Sequence, residues 1–239
     1  MITVYTFGPA FAQADPSPFV VKTLTLMKMS GLEHKIEQAD VRKAPKGKLP
    51  YISDNGQLIA DSSLIKMHLE KQHGVDFSGG YSELDLAVGW SIEKMLEDHL
   101  YWIVVDARWM DEENFNRGPR TFFDKMPAPA RPLVVWMVRK EIRRNLWGQG
   151  LGRHTAGELL QLAEKDFAAL AAVLGDKPYL LGDRPCGFDA SCYGFVSSAL
   201  VPLFDHPTTG AARNHPNLVA YCERMRAQYF PELSQDEAA

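Results

Sequence analysis

The chain has 239 residues, 46% of them hydrophobic and 23% charged, with a formal net charge of -4. That length gives room for one large domain or two small ones around a sizeable core, and so mild an acidity gives no reason to expect nucleic acid or an anionic membrane as the main partner. The three cysteines, Cys186, Cys192 and Cys222, form no CxxC pair and no even framework, so neither a disulfide scaffold nor a zinc site is indicated.

Ile2 to Phe7 is β-branched and aromatic, the composition of a strand covered on both faces. A strand starting at Ile2 leads us to expect no secretory leader and a cytoplasmic, reducing location. Gly8 ends the strand, and a loop rich in Pro, Ala and Asp follows that is unusually long for a strand-to-helix connection. Ser17 is then placed as an N-cap with Pro18 at the first helical position, and the helix runs through Leu24 and Met27 to a stop at Ser30-Gly31. His34 to Asp40 reads as a second strand. Leu49-Pro50 leads into Tyr51-Ile52, and Asn55-Gly56 supplies two residues that tolerate positive φ at a hairpin tip. Leu58 to Ala60 returns the strand. Asp61-Ser62-Ser63 offers cap chemistry to a helix with Leu64, Ile65, Met67 and Leu69 on its apolar side and Lys66, Glu70 and Lys71 on its wet side. A first domain of order β-α-β, connection, β-β-α therefore spans 1–74, with a linker over 75–83.

Beyond the linker the periodicity is helical, and an all-α second domain is expected over 84–232, with a frayed tail at 233–239. Leu84, Val88, Ile92, Met95, Leu96, His99, Trp102, Val105 and Trp109 mark one long helix. Leu133 to Trp147 is an amphipathic helix whose basic side (Arg139, Lys140, Arg143, Arg144) is expected to face solvent. The apolar run from Leu133 to Val138 is far too short to span a bilayer, so no membrane is expected. Gly148 to Gly152 follows no strand, which empties its likeness to a dinucleotide loop. Thr155-Ala156-Gly157-Glu158 is a capping box for a helix ending at Gly175. His99 and His154 have no partner at ligand spacing, so no metal is assigned.

The stretch from Gly47-Lys48-Leu49-Pro50 to Asp61-Ser62 resembles the second half of the thioredoxin-like domain of glutathione transferases. In that family a cis-proline opens the third strand and a Glu/Asp-Ser pair opens the third helix. Tyr179 to Ala190 is similar to the element that starts the central helix of the family's C-terminal domain, with Asp189 kept and Cys186 in place of the usual Ser/Thr cap. His215-Pro216-Asn217-Leu218 to Arg224-Met225 resembles its closing helix, so the resemblance runs from Ile2 to about Pro231. Gly8-Pro9-Ala10-Phe11, Asp15 to Phe19, Ala44 to Ile52, Glu97 to Trp102 and Gly150 to His154 are most similar to the failed-axon-connections and metaxin-like branch. Members of that branch commonly carry a cysteine where this chain has Val20.

The resemblance implies a thioredoxin-like α/β domain followed by an all-helical one, with glutathione bound between them as co-substrate. It places Ser17 against the thiol, with Tyr5 as the weaker alternative. Leu49, before a cis Pro50, would pair with the cysteinyl backbone, and Asp61 and Ser62 would hold the γ-glutamyl group at a helix N-terminus. Tyr101, Trp102, Arg108 and Trp109 would line the pocket for a small electrophile, and the family leaves room for a homodimer. A free thiol with a pKa of about 8.5 is only a few per cent ionised at neutral pH, and lowering it by ~2 units takes ~2.7 kcal/mol of preference for the thiolate. The same residues have plainer readings: Ser17 and Ser62 as helix caps, Tyr5 and the aromatics as core. The same fold also serves as a catalytically silent scaffold in the metaxin-like relatives.

Overall fold

The structure, a computed structural model, describes residues 1–234. Strand β1 (Ile2–Thr6) leads through the long loop to helix α1 (Pro18–Ser30) and strand β2 (His34–Gln38). A 3-10 turn at Val41–Lys43 precedes the hairpin of β3 (Tyr51–Asp54) and β4 (Gln57–Ala60), and α2 (Ser62–His73) closes the unit. The sheet order is β2-β1-β3-β4, with β1 parallel to β2 and antiparallel to β3. β1 is not covered on both faces. Its residues alternate between buried and half-buried, because Val4 pairs with Ile52 in the core while Tyr5 pairs with Tyr51 on the other face. The hairpin turns at Asn55 (φ 49°) and Gly56 (φ 84°), the left-handed pair that a two-residue loop requires.

The second part is helical: α3 (Glu83–Met95), α4 (Tyr101–Trp109), α5 (Glu112–Arg117), α6 (Arg131–Gln149), α7 (Ala156–Leu174), α8 (Gly187–Ala199), α9 (Pro207–Arg213) and α10 (Pro216–Tyr229). The single long helix expected over 84–110 is α3 and α4 joined by a π-helical turn, Leu96–Leu100. Ile92 and Leu96 go inside as expected, but Leu84 and Val88 lie exposed, and Gly89 and Glu93 take the inner face in their place. In α2 the apolar reading was likewise too wide. Leu64 and Met67 are exposed, while Lys66 turns inward with its ammonium 4.2 Å from the Phe188 ring centroid. Arg139 also leaves the solvated side assigned to it on α6. Its guanidinium covers Phe115 and donates to Glu112 at 2.8 Å and to the Trp109 carbonyl at 3.2 Å.

Helix α8 is the axis of the molecule, buried along its whole length. Asp189 fixes its start, its carboxylate accepting from the N–H groups of Cys186 (2.8 Å) and Leu180 (2.7 Å) and from the Tyr221 hydroxyl (2.9 Å). Helix α1 packs on α8 at Gly194, where an added Cβ would stand 2.7 Å from the Pro18 carbonyl oxygen. Only glycine permits that approach. The linker is pinned rather than loose. The Phe77 carbonyl accepts from Gly187 N–H at 2.8 Å, and the Tyr81 hydroxyl donates to the Arg184 carbonyl at 2.6 Å. Residues Pro231–Ser234, which include the start of the expected tail, make a 3-10 turn, and the rest of that tail lies outside the described residues.

Candidate functional site

Antiparallel pairing of β1 with β3 and of β3 with β4 brings three chain segments to one end of the sheet. They are the loop leaving β1, the Leu49-Pro50 approach to β3, and the turn from β4 into α2. The Leu49-Pro50 bond is cis, and Asp61 N–H donates to the Pro50 carbonyl at 3.4 Å, tying the second segment to the third.

The loop is held from within by Asp15. This carboxylate is buried and accepts from the N–H groups of Phe7 (2.9 Å), Gly8 (3.0 Å) and Ser17 (2.9 Å). Burial pushes its carboxyl up to about 7, against the pull of those three donors. The loop tip crosses to the helical part, where the Phe11 ring meets Phe122 and Phe204, each at 5.3 Å. Ser17 occupies the N-cap position of α1 in extended backbone geometry, and its hydroxyl makes no capping bond. A half-buried hydroxyl is thus presented at the positive end of a helix, where it can donate to an anion.

At the start of α2 the cap is Asp61, whose side chain accepts from Ser63 and Leu64 N–H. Its φ of 92° is unusual for a residue with a Cβ, and strained backbone of this kind gathers at ligand sites. Ser62 is the first helical residue and is buried. It is not the cap, which removes the plainer reading of this residue. Tyr5 lies on the sheet face opposite Val4, its ring stacked on Tyr51 at 4.3 Å.

The four aromatic and basic residues of α4 separate into two pairs. Tyr101 packs on Phe19, in the first turn of α1, at 4.9 Å, and the Trp102 ring lies beside Tyr101 at 5.3 Å. Arg108 is turned into the fold, donating to the Ser198 carbonyl and lying 4.5 Å from the Phe204 ring centroid. Burial pulls its pKa down to about 10. It borders a cavity of only about 10 Å³, room for about one water. Trp109 meets Phe115 at 5.9 Å.

Sequence reasoning missed an ionic cluster behind the site. Lys22, on α1 and wholly buried, reaches Glu93 at 3.1 Å and Glu97 at 2.6 Å, and donates to the Ser63 hydroxyl at 3.2 Å. Lys94 also pairs with Glu97, and Ser191 donates to Glu93. Burial alone would raise the Glu93 carboxyl, but Lys22 and Ser191 hold it below its ordinary value. These groups join α1 and α2 to α3, the π-helical turn and α8. The signal available was Lys22 inside an otherwise apolar helix and Glu93 and Glu97 four apart, which looks like a solvated face until the π-helical turn is known. The three cysteines are all buried, and burial pushes Cys186 up to about 12, so none offers a thiolate.

A thioredoxin-like sheet domain joined to a helical domain, with a hydroxyl and an acidic cap at two neighbouring helix starts, defines the class of glutathione transferase folds. This chain belongs to the glutathione S-transferase family. Residues 18–114 match the glutathione S-transferase N-terminal domain and residues 163–225 the glutathione S-transferase C-terminal domain. The chain is 33% identical to isoprene-epoxide–glutathione S-transferase of Rhodococcus sp. (strain AD45), over 96% of this chain and 99% of that one. It is 26% identical to Failed axon connections of Drosophila melanogaster, over 98% of this chain and 59% of the relative. Human metaxin-2 is 24% identical, with 79% of this chain and 72% of the relative covered. Among solved structures, beta-etherase LigF from Sphingobium sp. strain SYK-6 shares the fold with a TM-score of 0.70 at 17% identity, covering 98% and 99% of the two chains. A Pseudomonas fluorescens family member with two glutathione bound has a TM-score of 0.61 at 14% identity, covering 95% of this chain and 88% of its own. No helix among the described residues is long and apolar enough to cross a membrane.

Proposed function

We propose that this chain binds glutathione at the shared end of β1, β3 and β4 and activates its thiol for attack on a small electrophile. In this reading the γ-glutamyl carboxylate sits on the α2 N-terminus, with Ser62 as donor and the Asp61 carboxylate facing the ammonium group. The cysteinyl peptide lies along the backbone of Leu49, and the thiolate accepts a hydrogen bond from the Ser17 hydroxyl. The single observation carrying the proposal is that Ser17 holds the cap position of α1 while its hydroxyl caps nothing. A hydroxyl retained there without a structural bond is available to a ligand. Tyr5 is the lesser candidate, since its ring is already engaged with Tyr51.

Glutathione supplies the nucleophile, so the protein's own part is to orient the tripeptide and to hold a proton donor at the sulfur. The electrophile would enter beside Phe19, Tyr101 and Trp102, whose rings offer an apolar wall. Arg108 and Trp109 take no part, because Arg108 is spent on Ser198 and Phe204 and Trp109 on Phe115. A second reading, a partner-binding protein without turnover, draws on the likeness to Failed axon connections and metaxin-2. Titration calorimetry with glutathione separates the two: saturable binding supports the first, and no heat at millimolar ligand supports the second.

A further inference from the structure

At the far end of the first domain, three side chains of ligand type converge that sequence spacing gave no reason to connect. Asp54 ends β3 at the hairpin, and His68 and His73 lie on the last turns of α2. Both histidine Nε2 atoms meet the same carboxylate oxygen of Asp54, at 2.8 Å for His68 and 2.7 Å for His73. The three donor atoms lie within 4.8 Å of one another. We propose that Asp54, His68 and His73 form a binding site for a zinc-class divalent transition metal, distinct from the glutathione site.

The donor set selects the class. Two imidazoles and one carboxylate suit zinc, cobalt or nickel, whereas magnesium and calcium prefer shells made of oxygen. Zinc sits about 2.0–2.2 Å from such donors, which spaces tetrahedral ligands about 3.3 Å apart. The two histidine contacts to Asp54 are shorter than that, so each ring would draw back from the carboxylate by about 0.5 Å to admit the ion. His73 can do so readily. It is the final residue of α2, followed by Gly74 at φ 67°, and its side chain is partly exposed. That exposure also gives the ion a way in and leaves a fourth coordination position open to water.

In the metal-free protein each Nε2 carries the hydrogen it donates to Asp54. Binding requires each ring to turn an unprotonated Nε2 to the ion, its hydrogen moving to Nδ1 or leaving to solvent. The two histidines are five residues apart, not the four that put ligands on one helical face. Occupancy would clip the β3–β4 hairpin to the end of α2. The glutathione site lies at the opposite ends of these same elements, about 17 Å away along the helix axis.

The test is calorimetry and thermal melting of metal-free protein with zinc alone, without glutathione. One saturable equivalent and a rise in melting temperature are expected, with no effect from magnesium. Cobalt should give the strong visible absorption of a tetrahedral site. His73→Gln and Asp54→Asn should each weaken binding by more than the about 10- to 100-fold that loss of an outer-shell partner costs. His154→Gln, which removes a surface histidine elsewhere, should leave it intact. His73 is partly exposed, so its variant should fold, which circular dichroism checks. Absence of saturable zinc binding, or binding unchanged in His73→Gln and Asp54→Asn, overturns the proposal and leaves a hydrogen-bonded cluster only.

Discussion

Replacing Lys22 by methionine keeps the methylene packing of α1 and removes one charge from the middle of the domain interface. In the native protein Lys22 is wholly buried against Glu93 and Glu97, which are 1% and 6% exposed. Lys94, 3.6 Å from Glu93, and Lys66 remain, but both are less buried than Lys22 and Lys94 lies closer to Glu97. Lys22→Met therefore leaves Glu93 as a buried carboxylate with too little positive charge near it. Breaking a buried pair in this way costs about 3–5 kcal/mol, or about 6–20 °C of melting temperature for a chain of this length. The pH dependence should weaken. In the native protein Glu93 is held below its ordinary pKa, so its contribution is present above the unfolded pKa of about 4.3 and is lost as pH falls through the lower folded value. In Lys22→Met the largest opposing charge is gone and burial is countered only by Ser191, Lys66 and Lys94, so the folded pKa should rise and the variant should lose less stability than the parent as pH falls. Adding Glu93→Gln should recover part of the loss at neutral pH. Urea unfolding followed by tryptophan fluorescence at pH 7 and pH 5 measures all three variants. A loss under about 1 kcal/mol that is the same at both pH values would refute the reasoning, because the lysine would then not be compensating buried charge.

Three further outcomes are expected. Ser62→Ala should cost less stability than the about 1 kcal/mol of losing a helix cap, because Asp61 is the cap, while weakening glutathione binding; equal losses in urea unfolding and calorimetry would make Ser62 structural. Asp15 keeps its proton up to about 7 in the folded protein but only to about 3.9 when unfolded. The folded state therefore binds more protons between these values, and this group lowers stability as pH rises from about 4 to about 7; Asp15→Asn should flatten that slope in urea midpoints measured across the range. Gly194→Ala would place a Cβ 2.7 Å from the Pro18 carbonyl, a backbone atom that cannot swing aside; a loss of about 1–3 kcal/mol is expected, together with weaker glutathione binding, and a variant as stable as the parent in melting experiments would contradict the packing.

The sheet domain was legible because its signals are local. Asn55-Gly56 names its own turn, Pro18 and Gly31 bracket α1, and Leu49-Pro50 with Asp61-Ser62 carries the family resemblance. Asp15 was not legible as the anchor of its loop, since an aspartate before a proline reads as a turn residue until its three N–H donors are brought round it. The inner face of α3 was partly misread because a π-helical turn shifts the register of everything around it. A period taken from Leu84 and Val88 therefore points to solvent, and Glu93 and Glu97 point to Lys22. The resemblance placed Arg108 in the pocket, and its burial against the Phe204 ring and the Ser198 carbonyl could not be read from the sequence. Ser62 could not be told from a cap until Asp61 was seen to hold the N–H groups of Ser63 and Leu64.

The central claim is that the Ser17 hydroxyl stabilises a thiolate on bound glutathione. It is tested most directly by ultraviolet thiolate absorbance of the protein–glutathione complex as a function of pH, in the native chain and in Ser17→Ala. The account predicts a bound thiol titrating about 2 units below the free value of about 8.5. In Ser17→Ala that value should move back up, with affinity at high pH and overall stability unchanged because the hydroxyl caps nothing. A bound thiol that titrates like free glutathione in the native chain would contradict the claim, and an equal thiol pKa in the two proteins would take the role away from Ser17.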